Sequence, residues 1–108
     1  MERKFPQSAL VTIRRQAIVY HCACPAQVCE TIAHLRKLHD YQSSCLTESA
    51  MDASVHDRIA AAVEQAHAEM ERCLADILAI EGWDPVTLEM PANLQKRIAE
   101  RHPPPAQP

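Results

Sequence analysis

Glycine is almost missing from this chain, which has one glycine and eight prolines in 108 residues. Tight turns between β-strands usually need glycine, so the composition argues against an all-β fold. Aromatic residues are also scarce, at 4%. The hydrophobic share of 47% and the charged share of 23% are nevertheless normal for a globular chain of one-domain length. We therefore expect a core of aliphatic side chains between packed helices.

Clustered positive charge is lacking as well. The formal net charge is −3, and the basic residues are scattered. Because nucleic acids and anionic membranes attract clustered Lys and Arg, we expect neither as a partner. Arg14 and Arg15 interrupt the first apolar run before it reaches signal-peptide length, and no run is long enough to span a membrane. We therefore expect a cytoplasmic protein whose five cysteines are thiols.

Apolar residues at three- and four-residue spacing predict two helices in the first half of the chain. The first is expected from Ser8 to about Tyr20 and the second from Pro25 to about Leu46. Proline suits the first turn of a helix, where its missing N–H is not needed. For residues 16–24 a strand remains an alternative, because the segment is rich in β-branched and aromatic residues.

The third predicted helix, from about Ser54 to Glu81, has the clearest pattern, and Ser54 or Asp52 is expected to cap it. Eight residues lie within roughly 40° of one line along it: Val55, Ile59, Ala62, Ala66, Met70, Cys73, Ile77 and Ile80. We expect this stripe to form the core, so that Asp at Ala66 would prevent folding. A second stripe lies beside it: Val63, His67, Leu74 and Leu78. The joint apolar arc of about 160° is wider than one neighbouring helix covers.

The C-terminal part of the chain predicts a short fourth helix. Gly82 is expected to end the third helix as a left-handed cap. A connector with two prolines then leads to a helix over residues 91–102, followed by a flexible proline-rich tail at 103–108. Residues 1–102 are therefore expected to form an all-α, up-down bundle of three main helices plus a short C-terminal helix, which dimerisation would complete.

The segment HCACPAQVC, residues 21–29, is the first candidate metal site. A bend between helices two and three near residue 50 would bring Cys73 level with Cys29. Thiolates bind zinc and iron, so the candidate ligands are as follows: Cys22, Cys24, Cys29, Cys73 and His21. The spacing matches no standard zinc or ferredoxin motif, and the alternative is that these cysteines pack as small apolar residues. Cys24 followed by proline is also similar to the Cys-Pro element of some haem-responsive proteins, which adds haem to the alternatives.

A second candidate metal site combines carboxylates and histidines. Glu64 and His67 have the Glu-x-x-His spacing of di-iron helical bundles, while Glu30 and His34 lie on the expected neighbouring helix. Only one Glu-x-x-His motif is present, whereas such proteins need two. The alternative is that His67 packs in the core and both glutamates are solvated.

The sequence shows neither a catalytic triad nor a glycine-rich phosphate loop, so we expect no enzyme and no required cofactor. The leading hypothesis is a helical binding protein, an adaptor or accessory subunit that binds another protein or forms a homodimer. Trp83, Leu74 and Leu78 are its candidate contact residues. For Trp83, the favoured alternative is packing as a lid over the end of the bundle. The second hypothesis is a metal-binding or redox-sensing protein that uses the cysteine-rich turn.

Overall fold

The computed structural model describes residues 1–20 and 23–95. Within these ranges the chain forms three long α-helices and no strand: α1 spans Gln7–Val19, α2 spans Ala23–Ser44 and α3 spans Ala50–Glu81. A short helical segment at residues 92–95 follows Pro91. The expected all-α architecture is confirmed, whereas residues 96–102 of the fourth helix and the tail lie outside the described ranges. None of the described helices is long and apolar enough to cross a membrane.

The first turn of α3 begins earlier than the sequence pattern predicts. Ser49 has an extended backbone, and its hydroxyl accepts a 3.1 Å hydrogen bond from the backbone N–H of Asp52. The carboxylate of Asp52 accepts a 3.3 Å bond from the backbone N–H of Glu48. The expectation that Ser54 or Asp52 caps the helix is therefore wrong, because Ser49 occupies the cap position and its hydroxyl accepts the N–H of Asp52.

The other end of α3 is as predicted. Gly82 has a φ of 82° in the left-handed region, and its N–H donates to the carbonyl of Leu78 at 2.9 Å. A side chain at this position would strain the backbone, so glycine is the residue that ends the helix at low cost.

The three helices form an antiparallel arrangement with α2 in the middle. Arg14 of α1 pairs with Glu30 of α2 at 2.9 Å. On the other side of α2, His39 bonds to Glu64 of α3 at 3.1 Å. These contacts confirm that α2 and α3 fold back on each other near residue 50. Because α3 has 32 residues and α2 only 22, α3 extends beyond the neighbours that cover it.

The core lies where the helices meet the connector after α3. Its buried members come from all four segments: Leu10, Ile13, Cys29, Ile32, Leu74, Leu78, Trp83 and Met90. Gln16 of α1 holds the connector in place. Its amide donates to the carbonyl of Leu88 at 2.6 Å and accepts from the N–H of Met90 at 2.8 Å. The connector is thereby part of the core rather than an extended link.

The buried face of α3 differs from the predicted one. Its buried residues are Val63, His67, Glu71, Leu74 and Leu78, which belong to the second stripe and its continuation. Val55, Ala62, Ala66 and Ile80 of the stripe expected in the core are exposed. The expectation that Asp at Ala66 prevents folding is wrong for the same reason. Neighbouring helices cover the side of α3 that faces them, and counting apolar residues alone does not identify that side.

Candidate binding surface

The apolar stripe expected in the core forms, together with Met51 before it, a long and largely exposed row on α3, here called the α3 stripe. It consists of Met51, Val55, Ile59, Ala62, Ala66, Met70, Cys73, Ile77 and Ile80. Met51 and Ile80, at its two ends, are 74% and 82% exposed. At 1.5 Å per residue the α3 stripe is about 44 Å long. Isolated surface aliphatics are common, but a continuous row of this length is typical of an interaction site.

The contacts between α3 and α2 show in which direction the side chains of the α3 stripe point. Glu64, His67 and Glu71 all contact α2 and mark the inner side of α3. At 100° per residue the centre of the α3 stripe lies about 140° around the helix from these contacts, and about 105° from the centre of the buried residues of α3. The row therefore points away from α2. Met70 and Ile77, at its inner edge, pack partly against the core, and Ile59 and Cys73 are also partly buried.

The three contact residues expected from the sequence are located in the core instead. Leu74 and Leu78 are buried, and Trp83 is 5% exposed. The indole N–H of Trp83 donates to the carboxylate of Glu81 at 3.0 Å. The ring thus packs as a lid on the core cluster, which is the favoured alternative for this residue. None of the three presents a surface to a partner, and the exposed apolar surface lies on the neighbouring stripe.

A buried ionic cluster of Arg36, His67 and Glu71 joins α2 to α3. All three side chains are 4% exposed or less. The Nε–H of Arg36 donates to Nε2 of His67 at 3.0 Å, and a terminal N–H of the same guanidinium donates to Glu71 at 3.3 Å. Charged groups are rarely buried unless they are paired in this way.

The cluster also holds the N-terminal segment. The same oxygen of Glu71 accepts the backbone N–H groups of Lys4 and Phe5, at 2.8 and 2.9 Å. Arg36 donates to the carbonyl of Phe5 at 2.5 Å. The ionic cluster thus fixes the segment that precedes α1 through hydrogen bonds to its backbone.

Burial keeps the imidazole of His67 neutral. It lowers the pKa of His67, against the opposing effect of the Glu71 carboxylate. Because Nε2 accepts from Arg36, the proton of the neutral ring is on Nδ1. Nδ1 lies 3.5 Å from the nearer oxygen of Glu71 and has no hydrogen bond among the residues described. A proton on Nε2 would point at the Nε–H of Arg36, so that two donors would face each other. The hydrogen bond from Arg36 is therefore compatible only with the neutral ring.

Sequence reasoning missed Arg36 and Glu71 because charged residues are usually assigned to the surface. The signal that could have located them is their position in the helical repeat, which places each on the same face as buried apolar residues. Glu71 lies four residues after His67 and three before Leu74, on the same helix face. Arg36 lies four residues after Ile32, in the buried row of α2.

The candidate metal-binding cysteines that the structure describes lie in different environments. Cys24 is exposed in the first turn of α2, Cys29 is buried and Cys73 is partly buried. Burial raises the pKa of the Cys29 thiol to about 11, so it is protonated at neutral pH. His21 and Cys22 lie outside the described residues. Within residues 1–20 and 23–95 no group of three or more His, Cys, Asp or Glu side chains could hold a metal ion. The thiol-bound metal remains a prediction.

The four residues of the alternative metal site have separate partners. Glu30 pairs with Arg14, and Glu64 bonds to His39, both at the surface. His34 is exposed beside the groove between α1 and α2. His67 is in the buried ionic cluster. The structure does not bring these four side chains together, and it shows the core position that was the alternative for His67.

No protein-family model, curated protein or solved structure matches this chain.

Proposed function

We propose that this chain is a non-enzymatic binding protein, an adaptor or accessory subunit, and that the α3 stripe is its contact surface. One observation carries the proposal: the second apolar stripe of α3 is buried by the chain itself, whereas the α3 stripe spans about eight helical turns and has exposed residues along it. These exposed members are Met51, Val55, Ala62, Ala66 and Ile80. The folded core does not explain why these five positions are apolar.

The spacing of the exposed residues supports a helical partner. The apolar positions of the α3 stripe recur at three- and four-residue steps, from Val55 to Ile80. This is the pattern with which one helix packs along another or in a groove. The side chains are aliphatic with two central alanines, so a partner helix can approach closely. The proposal also replaces Leu74, Leu78 and Trp83 as contact residues, since these are used by the core.

Site-specific photo-crosslinking in cells tests the proposal. A photoreactive amino acid is placed at Ala66 in the α3 stripe, or at Ala61 on the far side of α3 as the matched control. Both alanines are exposed, and each has a glutamate three residues later. The expected result is a defined protein adduct, identified by mass spectrometry, from position 66 and not from position 61. Equal adducts from both positions, or none from either, would contradict the proposal.

A further inference from the structure

We infer that the α3 stripe is occupied by α3 of a second copy of this chain, packed antiparallel with a twofold axis at Ala66. The inference rests on the proposed function and adds the identity and the orientation of the partner. Three properties of α3 support it: the distribution of side-chain size, the position of two exposed charges beside the stripe, and the direction of the exposed surface.

The size pattern at the centre of the α3 stripe is self-complementary. Two alanines, Ala62 and Ala66, lie near its middle, and larger aliphatic residues lie towards both ends. Antiparallel packing about Ala66 makes two residues level when their numbers add up to 132. Ala62 then faces Met70 of the partner subunit, so that a long side chain fills the space over a short one. Large and small groups alternate in this way in well-packed helix interfaces. Val55 is level with Ile77 of the partner subunit, so two branched aliphatic side chains meet there.

Two exposed charges lie beside the α3 stripe in complementary positions. Arg58 and Asp76 occupy the same flank, about 75° from its centre at 100° per residue. Both are exposed, and neither forms a hydrogen bond or a direct ion pair within residues 1–20 and 23–95. Asp76 does interact electrostatically with Arg72, whose direct partner is Glu69.

The antiparallel arrangement pairs these charges twice. Arg58 lies within two residues, about 3 Å along the axis, of the level of the partner's Asp76. Twofold symmetry repeats the contact at the other end. In a parallel pair the two charges would be separated by 18 residues, about 27 Å along the axis. Charge complementarity therefore favours the antiparallel orientation, because such pairs set register and orientation at interfaces.

The direction of the open surface suits a symmetric pair. The α3 stripe points away from α2, so a second α3 extends the row of helices without displacing any described contact. Twofold dimers are the most common oligomers, and they use the same surface on both subunits. The resulting centre has the helix order α2, α3, α3 and α2, which is a four-helix arrangement.

Sedimentation of the purified full chain tests the inference. We expect a dimer that dissociates on dilution. Ala66→Asp places two carboxylates at the twofold axis and should weaken the dimer by about tenfold or more. Ala61→Asp is the matched control and should leave the dimer unchanged. Circular dichroism of both variants checks that the helices are intact. A wild-type chain that remains monomeric at every concentration would overturn the inference.

Charge reversal tests the pairing of Arg58 with the partner's Asp76. Arg58→Asp and Asp76→Arg should each weaken the dimer, because each brings like charges together. The double variant should restore dimer formation towards the wild-type level. Since both residues are exposed, neither change should alter folding. Additive weakening in the double variant would contradict the pairing.

A disulfide tests the orientation. In the antiparallel dimer Ile59 is level with the partner's Cys73, so Ile59→Cys should give an intermolecular disulfide to that native cysteine under mild oxidation. Peptide mapping should find this link. A link between the two copies of Cys73 would indicate parallel packing and overturn the orientation.

The outcomes separate the inference from the proposed function. If the chain is monomeric but position 66 gives a defined adduct with a different protein, the binding function holds and the dimer is wrong. If the chain is monomeric and position 66 gives no specific adduct, both are wrong.

Discussion

Arg36 on α2 donates a 3.0 Å hydrogen bond through its Nε–H to Nε2 of His67 on α3, and both side chains are buried. The carboxylate of Glu71 pairs with the same guanidinium and neutralises its charge in the core. This relationship joins the two longest helices and, through Glu71, the N-terminal segment. It makes the stability of the fold sensitive to single changes and to pH.

Replacement of Arg36 should be strongly destabilising. Arg36→Met leaves Glu71 as a buried carboxylate without its cation, which we expect to lower the free energy of unfolding by about 3–5 kcal/mol. Urea denaturation measures this difference. The matched control is Arg14→Met, which breaks an exposed pair with Glu30 and should cost less than about 1 kcal/mol. Similar losses in both variants would contradict the role of the buried ionic cluster.

Stability should fall in mild acid because of His67. The pKa of His67 is lowered from its ordinary value of 6.5 by burial, with Arg36, Arg3 and His39 acting in the same direction and Glu71 opposing them. The unfolded chain therefore binds a proton at a higher pH than the native chain. The contribution of His67 to the free energy of unfolding is complete above about pH 6.5. It is lost as the pH falls towards the lowered pKa, and the free energy of unfolding then decreases by at most about 1.4 kcal/mol per pH unit.

Comparison with His67→Gln isolates this effect. Glutamine retains an acceptor for Arg36 but does not titrate. Unfolding free energies measured from pH 8 to pH 5 should fall more steeply for the wild type than for the variant, since the other histidines contribute equally to both. Parallel curves would show that His67 does not titrate differently on folding.

The first turn of α3 gives a paired test of capping. Ser49→Ala removes the acceptor for the N–H of Asp52 and should cost about 1 kcal/mol. Ser54→Ala, inside the helix, should be neutral or slightly stabilising, because alanine is the better helix former. Thermal unfolding followed by circular dichroism measures both. The reverse order would indicate that the helix begins near Ser54.

Trp83 reports on the packing of the connector. It is the one tryptophan in the chain and is buried, so its fluorescence emission should shift to longer wavelength on unfolding. Trp83→Ala should lower the unfolding free energy by about 3–5 kcal/mol, because it leaves a cavity in the core cluster. Val86→Ala, in the same loop but exposed, should have little effect. A stable Trp83→Ala variant would show that the connector is not part of the core.

Thiol reactivity should distinguish Cys24 from Cys29. Cys24 is exposed, whereas Cys29 is buried and its pKa is raised to about 11. A thiol-specific reagent at neutral pH should modify Cys24 in the native chain and Cys29 only after unfolding, because the thiolate is the reactive form. Peptide mass spectrometry measures both positions. Fast native modification of Cys29 would indicate frequent opening between α1 and α2.

Several elements of the fold could be predicted from the sequence because they depend on neighbours along the chain. The buried row of Leu10, Ile13 and Ala17 follows from helical periodicity. The left-handed cap at Gly82 follows from the conformational freedom of glycine. The bend near residue 50 follows from the polar segment between two long periodic ones.

The candidate site could be predicted only in part. The sequence indicated that α3 has more apolar surface than one neighbour covers, and it identified the residues of the α3 stripe except Met51. It did not show which of the two stripes would be buried. Leu74 and Leu78 were therefore expected to contact a partner, although they lie in the core.

The sequence by itself thus determined the helices, their order and the apolar character of two faces of α3, since these depend on backbone propensity and periodicity. Only the tertiary structure decided that Arg36, His67 and Glu71 face one another in the core and that Ala66 faces outwards. The physical reason is that burial depends on what packs against a face. A charged side chain can be buried when a distant residue neutralises it, and an apolar one stays exposed when no described segment reaches it.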